Sequence, residues 1–287
     1  MSKIFNSDTP RDHLYLPDRQ ATANCGNEID HAVGNYIVKH RPAVIIDAGD
    51  HADMPSLSLY DVGKKCFEGR RYKVDVEASI HAHEIQFKPL WDLQAEQGKD
   101  MRQRSVTPAR LAHCVPEKMV SAAEIYDPLR IISYGNHENR IVRAVEDDPK
   151  LDGLMALEHL QYNRFFHYVS PFLEPVIVDG ICYVHYAYKK MPHKAMEGEM
   201  SARNILKQNM VSTTVGHSPE FQYFEMFNGL DQRIQCMVAG MRGTHNENYA
   251  GPRNRRYWRG IVHKRNVMNG TYDFERISTD TLLRDYL

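Results

Sequence analysis

The chain has 287 residues, a formal net charge of −1 and 25% charged residues, a composition typical of a globular protein. The near-zero charge argues against nucleic-acid binding over the whole surface, although a local basic groove is compatible with it. The five cysteines are Cys25, Cys66, Cys114, Cys182 and Cys236. Their odd number and wide spacing argue against a disulfide framework or a thiolate zinc site.

The chain carries no pattern of a secreted or membrane protein. Its first residues are polar and lack the apolar core of a signal peptide, and no apolar run is long enough to span a bilayer. We therefore expect a cytoplasmic protein that does not enter membranes. The length is compatible with a single α/β domain, residues 1–287, that carries an insertion.

The N-terminal part has the pattern of a strand–helix–strand unit. Residues 13–17 form an apolar run ended by proline, residues 29–37 have helical spacing, and residues 43–46 are apolar and β-branched. Asp18 and Asp50 follow the two strands. In open α/β sheets, ligands collect outside such strand ends, so the two carboxylates are predicted to lie together.

Residues 54–127 are long, charged and rich in helix formers, which predicts a mostly helical insertion that borders the site. The elements predicted after it are a strand at 129–134, a helix at 138–146, strands at 175–179 and 181–185, a strand at 211–215, antiparallel strands over 221–272 and a helix at 280–286.

Polar groups follow four of the apolar runs in a fixed order. They are Asp50, the pair Asn136 and His137, His185, and His217. A carboxylate can bridge two cations, an asparagine carbonyl is a hard oxygen ligand, and imidazole suits Zn, Fe, Mn or Ni. Alone, each has another reading, such as a turn-capping aspartate or a structural histidine. As an ordered set they predict a binuclear metal site.

The set resembles the calcineurin-like metallophosphoesterases, whose pattern is D-x-H, GD-x-x-D, GNH(E/D), H and GH-x-H. The resemblance extends over about residues 14–217. Residues 51–61, 67–72, 135–140 and 257–261 are similar to a bacteriophage-encoded branch of that family. The resemblance implies a four-layer αββα sandwich with two divalent ions (Mn, Ni, Zn or Fe) at the strand ends.

The resemblance also implies a role for each matching residue. Asp50 would bridge the two ions, and Asp18 would bind the first. The second ion would be completed by Asn136, His185 and His217. His137 would be the general acid that protonates the leaving oxygen. Arg140 would clamp phosphate, because guanidinium matches it bidentately; a surface helix arginine is the alternative.

Two positions depart from the family pattern. Gln20 and Pro219 stand where histidines are usual, and both would belong to the first ion. We therefore expect that ion to bind more weakly, to be a harder ion such as Mn or Mg, or to recruit another ligand. His245 is the candidate replacement.

The expected activity is hydrolysis of a phosphodiester, in a nucleotide or nucleic acid, by a metal-activated hydroxide. A phosphomonoesterase acting on protein or small molecules is one alternative. A non-catalytic binding module of the same fold is another, because Gln20 and Pro219 weaken the site. The sequence leaves the substrate and the oligomeric state open.

Overall fold

The computed structural model describes residues 3–106, 125–189, 194–244 and 251–287. The strands are β1 (Lys3–Phe5), β2 (Arg11–Leu16), β3 (Val44–Asp47), β4 (Leu129–Ser133), β5 (Tyr168–Ser170), β6 (Val176–Val178), β7 (Ile181–Val184), β8 (Thr213–Val215), β9 (Phe221–Phe227), β10 (Arg233–Ala239), β11 (Gly260–Met268) and β12 (Thr271–Ser278). The α-helices are α1 (Glu28–His40), α2 (Tyr72–Val106), α3 (Asn139–Asp147), α4 (Ser201–Asn209) and α5 (Thr279–Tyr286).

The strands form two mixed sheets of six. Sheet I has the order β12-β11-β2-β3-β4-β5, and sheet II has the order β1-β6-β7-β8-β10-β9. Strands β2 to β5 run parallel in sheet I, and β7, β8 and β10 run parallel in sheet II. The predicted strand–helix–strand unit is confirmed as β2, α1 and β3, and the predicted α/β class is confirmed with it.

The inner faces of the two sheets share one apolar core. Tyr15 and Ile46 of sheet I lie in the same buried cluster as Val178, Tyr183 and other residues of sheet II. Successive side chains of a strand point to opposite faces, so Leu14, Leu16 and Ile45 pack outward, in a cluster that includes α1 and α5 residues. Both faces of sheet I are therefore buried, which explains its continuous apolar runs.

Helices cover the outer faces of both sheets. Helix α4 packs Ile205 and Leu206 on sheet II, and Phe87 and Leu90 of α2 share a cluster with Ile132 of β4. Helices α1 and α2 touch closely at Gly34, where a Cβ would collide with the backbone of α2. The helical prediction is confirmed over 72–106; residues 107–124 of the predicted insertion lie outside the described residues.

One part of the predicted antiparallel region is helical instead of extended. Within the predicted antiparallel region, Gly251–Arg256 form a 3-10 helix, because Pro252 fits a first helical turn and cannot donate to a strand ladder. Turns at Asn228 and Asn269 join β9 to β10 and β11 to β12, within the region predicted to form antiparallel strands. In the described ranges no helix combines the length and apolarity needed to cross a membrane.

A buried polar network links the two sheets inside the shared core. His13 on β2 contacts Asp179 through Nε2 and the Tyr183 hydroxyl through Nδ1, both at 2.8 Å. Lys264 is also fully buried, with its ammonium 4.2 Å from the ring centroid of Tyr272. Burial lowers the pKa of His13 to about 4, although the Asp179 carboxylate opposes the shift.

We expect this histidine to make the fold acid-sensitive. An unfolded histidine binds a proton near pH 6.5 and folded His13 only near pH 4, so stability falls as pH drops from 6.5 to 4. Denaturant titrations of His13→Gln across this range should show that the free energy of unfolding depends less steeply on pH than in the parent protein. Part of the slope should remain, because burial also lowers the pKa of His263 to about 4.

The matched control is His31→Gln, at an exposed position on α1, which should keep the parent slope. Glutamine at position 13 can still donate to Asp179 and accept from Tyr183, so it removes the titration and keeps the contacts. An unchanged slope in His13→Gln would contradict the assignment.

Candidate metal centre

Five of the predicted ligands lie just beyond strand ends of both sheets. Asp18, Asp50 and Asn136 follow β2, β3 and β4 of sheet I, and His185 and His217 follow β7 and β8 of sheet II. The structure brings these side chains together. The seventh predicted ligand, His245, lies outside the described residues.

The side chains predicted for the second ion converge. The ligand atoms of Asp50, His185 and His217 lie within 4.8 Å of one another. Nε2 of His185 lies 2.9 Å from Oδ1 of Asn136 and 3.4 Å from Oδ2 of Asp50. Two imidazoles, a carboxylate and an amide oxygen could hold a divalent ion such as Zn, Fe or Mn.

Hydrogen bonds behind this set orient its members. Nδ1 of His185 lies 2.9 Å from the Ala48 carbonyl, so it donates there and leaves the Nε2 lone pair facing the site. The backbone N–H of His217 donates to Oδ1 of Asp18 at 3.0 Å. These bonds cross between the sheets, because Ala48 and Asp18 belong to sheet I loops and the histidines follow sheet II strands.

The residues predicted for the first ion are Asp18, Asp50 and Gln20, and they include no imidazole. Asp18 is 2% exposed. Oε1 of Gln20 is buried and has no hydrogen-bond partner among the described residues. The Pro219 carbonyl accepts the Trp258 N–H at 2.9 Å and is already engaged. The side chains predicted for the first ion carry oxygen ligands, which favour a harder ion.

The two buried aspartates have opposite electrostatic surroundings. Burial raises the pKa of Asp18 to about 6; His185 opposes this, and the Asp50 charge adds to it. Burial would also raise the pKa of Asp50, but His137 and His185 hold it well below its usual range. Two buried carboxylates this close together favour the binding of cations between them.

Glu138 ties together the loops that carry Asp50 and Asn136. Its fully buried carboxylate accepts the N–H groups of Asp50, Ala52 and Gly135 at 2.8–3.0 Å. It also accepts the Tyr162 hydroxyl at 2.8 Å. Burial raises the pKa of Glu138 to about 7, with the Asp50 charge adding to it and these donors opposing it.

The approach of these loops leaves no room for a side chain at position 135. A Cβ on Gly135 would overlap the carboxylate and backbone nitrogen of Asp50. The neighbouring N–H of His137 donates to Oδ1 of Asp50 at 2.8 Å. The glycine of the GNHE segment is therefore required by the placement of Asp50.

His137 lies beside Asp50 and is oriented by Asp53. Its Nδ1 is 2.7 Å from Oδ1 of Asp53, and its Nε2 is 3.7 Å from Oδ2 of Asp50. Burial alone would lower the pKa of His137, but the carboxylates of Asp50 and Asp53 raise it above the usual value. Sequence reasoning gave Asp53 no role, although it ends the GD-x-x-D pattern, and it likewise missed the role of Glu138.

Arg140 belongs to the site and is not an exposed helix arginine. Its side chain is 13% exposed. Nη1 donates to the Asp53 carbonyl at 2.7 Å, and Nη2 lies 3.2 Å from Nε2 of His137. The structure therefore places its charge next to the proposed proton donor.

A second group of buried ligand-type side chains, Asp47, His51 and His83, also lies within 4.8 Å. Here the cationic position is already filled, because Nη2 of Arg242 lies 2.7 Å from Asp47 and 3.0 Å from Nδ1 of His51. His51 and His83 stack with ring centroids 3.4 Å apart. A divalent ion would have to displace a paired guanidinium, so we interpret this group as structural.

Comparisons with protein families and with curated proteins identify no relative of this chain. No protein-family profile and no curated protein matches this chain. The family resemblance therefore stays a prediction, and the functional argument depends on the geometry of the site.

Replacing Glu138 tests whether one carboxylate organises the site. In Glu138→Gln the amide nitrogen cannot accept, so at least one buried N–H loses its acceptor, at a cost of about 1–3 kcal/mol. We expect a lower free energy of unfolding and weaker Mn²⁺ binding, measured by denaturant titration and calorimetry.

Tyr162→Phe is the matched control, since it removes only the hydroxyl donor to the same carboxylate. Its effect on metal binding should be the smaller of the two. Full Mn²⁺ affinity in a folded Glu138→Gln protein would show that the loops hold their positions without it.

Proposed function

We propose that the protein is a metal-dependent phosphodiesterase of the calcineurin-like metallophosphoesterase type, similar to the bacteriophage-encoded branch, and that its sheets and helices form the αββα sandwich of that family. The observation that carries the proposal is the convergence of Asp50, Asn136, His185 and His217, with His137 beside Asp50. A nucleotide or nucleic acid in a host-cell cytoplasm is the proposed substrate class.

The residues present fit two divalent ions of unequal affinity. Asp50, Asn136, His185 and His217 would hold the second ion, and Asp18, Asp50 and Gln20 would hold the first. The unpartnered, buried Oε1 of Gln20 supports its inclusion. When bound, such ions neutralise phosphoryl charge and lower the pKa of a bound water.

His137 is the proposed general acid. The Asp53 carboxylate fixes Nδ1 as a donor, so Nε2 is the nitrogen on the Asp50 side that can pass a proton to a leaving oxygen. The two carboxylates favour protonation of the ring, whereas the Arg140 charge opposes it. A general acid must be protonated before the reaction and must release its proton during it. The two carboxylates favour the first of these, and the Arg140 charge favours the second.

The charge balance favours a diester over a monoester. Nη2 of Arg140 lies next to His137, Arg143 reaches the site only at the Asn136 carbonyl, at 3.4 Å, and the residues proposed for the first ion include neither of the family's usual imidazoles. A monoester dianion requires more positive charge than a diester monoanion. A second candidate, a non-catalytic binding module, is favoured by the same two losses, Gln20 and Pro219.

Metal titration tests the unequal site. We expect one tightly bound Mn²⁺ and a second that is lost on dialysis, counted by elemental analysis after extensive washing. Asp50→Asn should weaken both ions, since the proposed bridge is removed, while Asp152→Asn, an exposed control, should bind as the parent does. Two equally tight ions would contradict the proposed asymmetry.

Model substrates test the activity. With Mn²⁺ the protein should hydrolyse bis-p-nitrophenyl phosphate faster than the monoester. His137→Ala should keep the tight ion and lower kcat by about 10²–10⁴, the usual share of general-acid catalysis. His31→Ala serves as the exposed control.

The outcomes separate the candidates. A preference for the monoester would favour the phosphomonoesterase reading. Metal binding with hydrolysis of neither substrate would favour the binding module. Full turnover in a folded His137→Ala protein would overturn the general-acid assignment and leave the metal site intact.

A further inference from the structure

Glu197 lies beside His217, one of the four side chains proposed to hold the second ion. Its Oε1 is 3.0 Å from Nε2 of His217. Its side chain is 62% exposed, whereas that of His217 is 21% exposed. The family pattern assigns nothing to this position, which lies between β7 and α4.

The contact fixes which nitrogen of His217 faces the site. A neutral imidazole has one N–H and one lone pair, and a carboxylate can only accept. Nε2 therefore carries the proton and donates to Glu197, which leaves the lone pair on Nδ1. His185 has the opposite arrangement, because its Nδ1 donates to the Ala48 carbonyl and its Nε2 faces Asn136.

The backbone on both sides of Glu197 is held in place. The N–H of Met196 donates to the Ala187 carbonyl at 2.8 Å. The Gly198 carbonyl accepts Nε2 of Gln222 at 2.8 Å. These bonds anchor the segment to the β7 loop and to β9, so the carboxylate is presented to His217 from a fixed backbone despite its exposure.

His217 itself adopts a backbone conformation that requires support. Its φ is 64°, in the left-handed region that costs a non-glycine residue about 1–2 kcal/mol. The bond from its N–H to Asp18 holds the backbone, and Glu197 holds the ring. The Tyr186 ring packs against the imidazole with centroids 4.8 Å apart.

We propose that Glu197 is a positioning residue for the second ion: it holds His217 with Nε2 protonated and so reserves Nδ1 as the ligand atom. A carboxylate behind an imidazole also increases its basicity as a ligand, and loss of such a partner typically weakens metal binding 10- to 100-fold. The inference rests on the metal site of the proposed function and is independent of turnover.

Titration with Co²⁺, followed by its visible absorption, tests the proposal without substrate. Glu197→Ala should bind the tight ion about 10- to 100-fold more weakly. Glu197→Gln should recover most of the affinity, because its carbonyl still accepts from Nε2. Glu199→Ala, an exposed carboxylate two residues along, should bind as the parent does.

The tautomer of His217 is a second readout that needs no metal. Nitrogen-15 NMR of the metal-free parent should show Nε2 protonated, and Glu197→Ala should show a mixture of tautomers. Parent-like affinity or an unchanged tautomer in Glu197→Ala would overturn the proposal. So would a Glu197→Gln protein as weak as Glu197→Ala, since an acceptor that holds Nε2 protonated would then not restore the position of His217.

These outcomes are distinguishable from failure of the proposed function. If Glu197→Ala weakens Co²⁺ binding but the parent hydrolyses no phosphate ester, the positioning role stands and the phosphodiesterase does not. If the parent hydrolyses the diester and Glu197→Ala binds Co²⁺ normally, the phosphodiesterase proposal stands and the positioning role of Glu197 does not.

Discussion

The buried carboxylate of Glu138 is the interaction on which the site depends. It accepts two backbone N–H groups from the loop after β3 and one from the loop after β4. Neither loop has a regular ladder to satisfy these donors, and an unsatisfied buried N–H is costly. One side chain thus accepts hydrogen bonds from both loops, and these bonds hold Asp50 and Asn136 at a fixed separation.

A second constraint comes from the meeting of the two sheets. Each sheet contributes some of the ligands, so the site exists only where their strand ends face one another. The backbone of Arg242, after β10, donates to the Asp18 carbonyl, and His185 donates to the Ala48 carbonyl. These cross-sheet bonds make the ligand set a consequence of sheet packing, with the shared apolar core behind it.

The proposed asymmetry of the site can be traced to the sheet II loops. His217 follows β8 and stays in the second ion's set, whereas Pro219, two residues later, gives its carbonyl to Trp258. This carbonyl is therefore part of the packing between Pro219 and Trp258. Near the predicted first ion, Oε1 of Gln20 has no hydrogen-bond partner among the described residues, and burial raises the pKa of Asp18 to about 6.

Much of the fold could be predicted from local patterns. The apolar runs of β2, β3 and β4 are continuous because both faces of sheet I are buried, and the periodicity of α1 matches its one-sided packing. Within the region predicted to form antiparallel strands, Gly251–Arg256 form a 3-10 helix instead, because Pro252 cannot donate to a strand ladder. His51 and His83, far apart in sequence, stack against each other, and no spacing rule predicts that contact.

The sequence by itself determined the order of the predicted ligand-bearing segments and the presence of Gln20 and Pro219 where the family it resembles has histidines, because residue identity and strand-end position are local properties. Only the tertiary structure decided which groups support them. The roles of Glu138, Asp53 and Glu197 depend on distances between chain segments. The same is true of the Arg242 guanidinium, which takes the position between Asp47 and His51 that a cation could otherwise occupy. Such distances are set by how the sheets and helices pack, and that packing is a property of the whole chain.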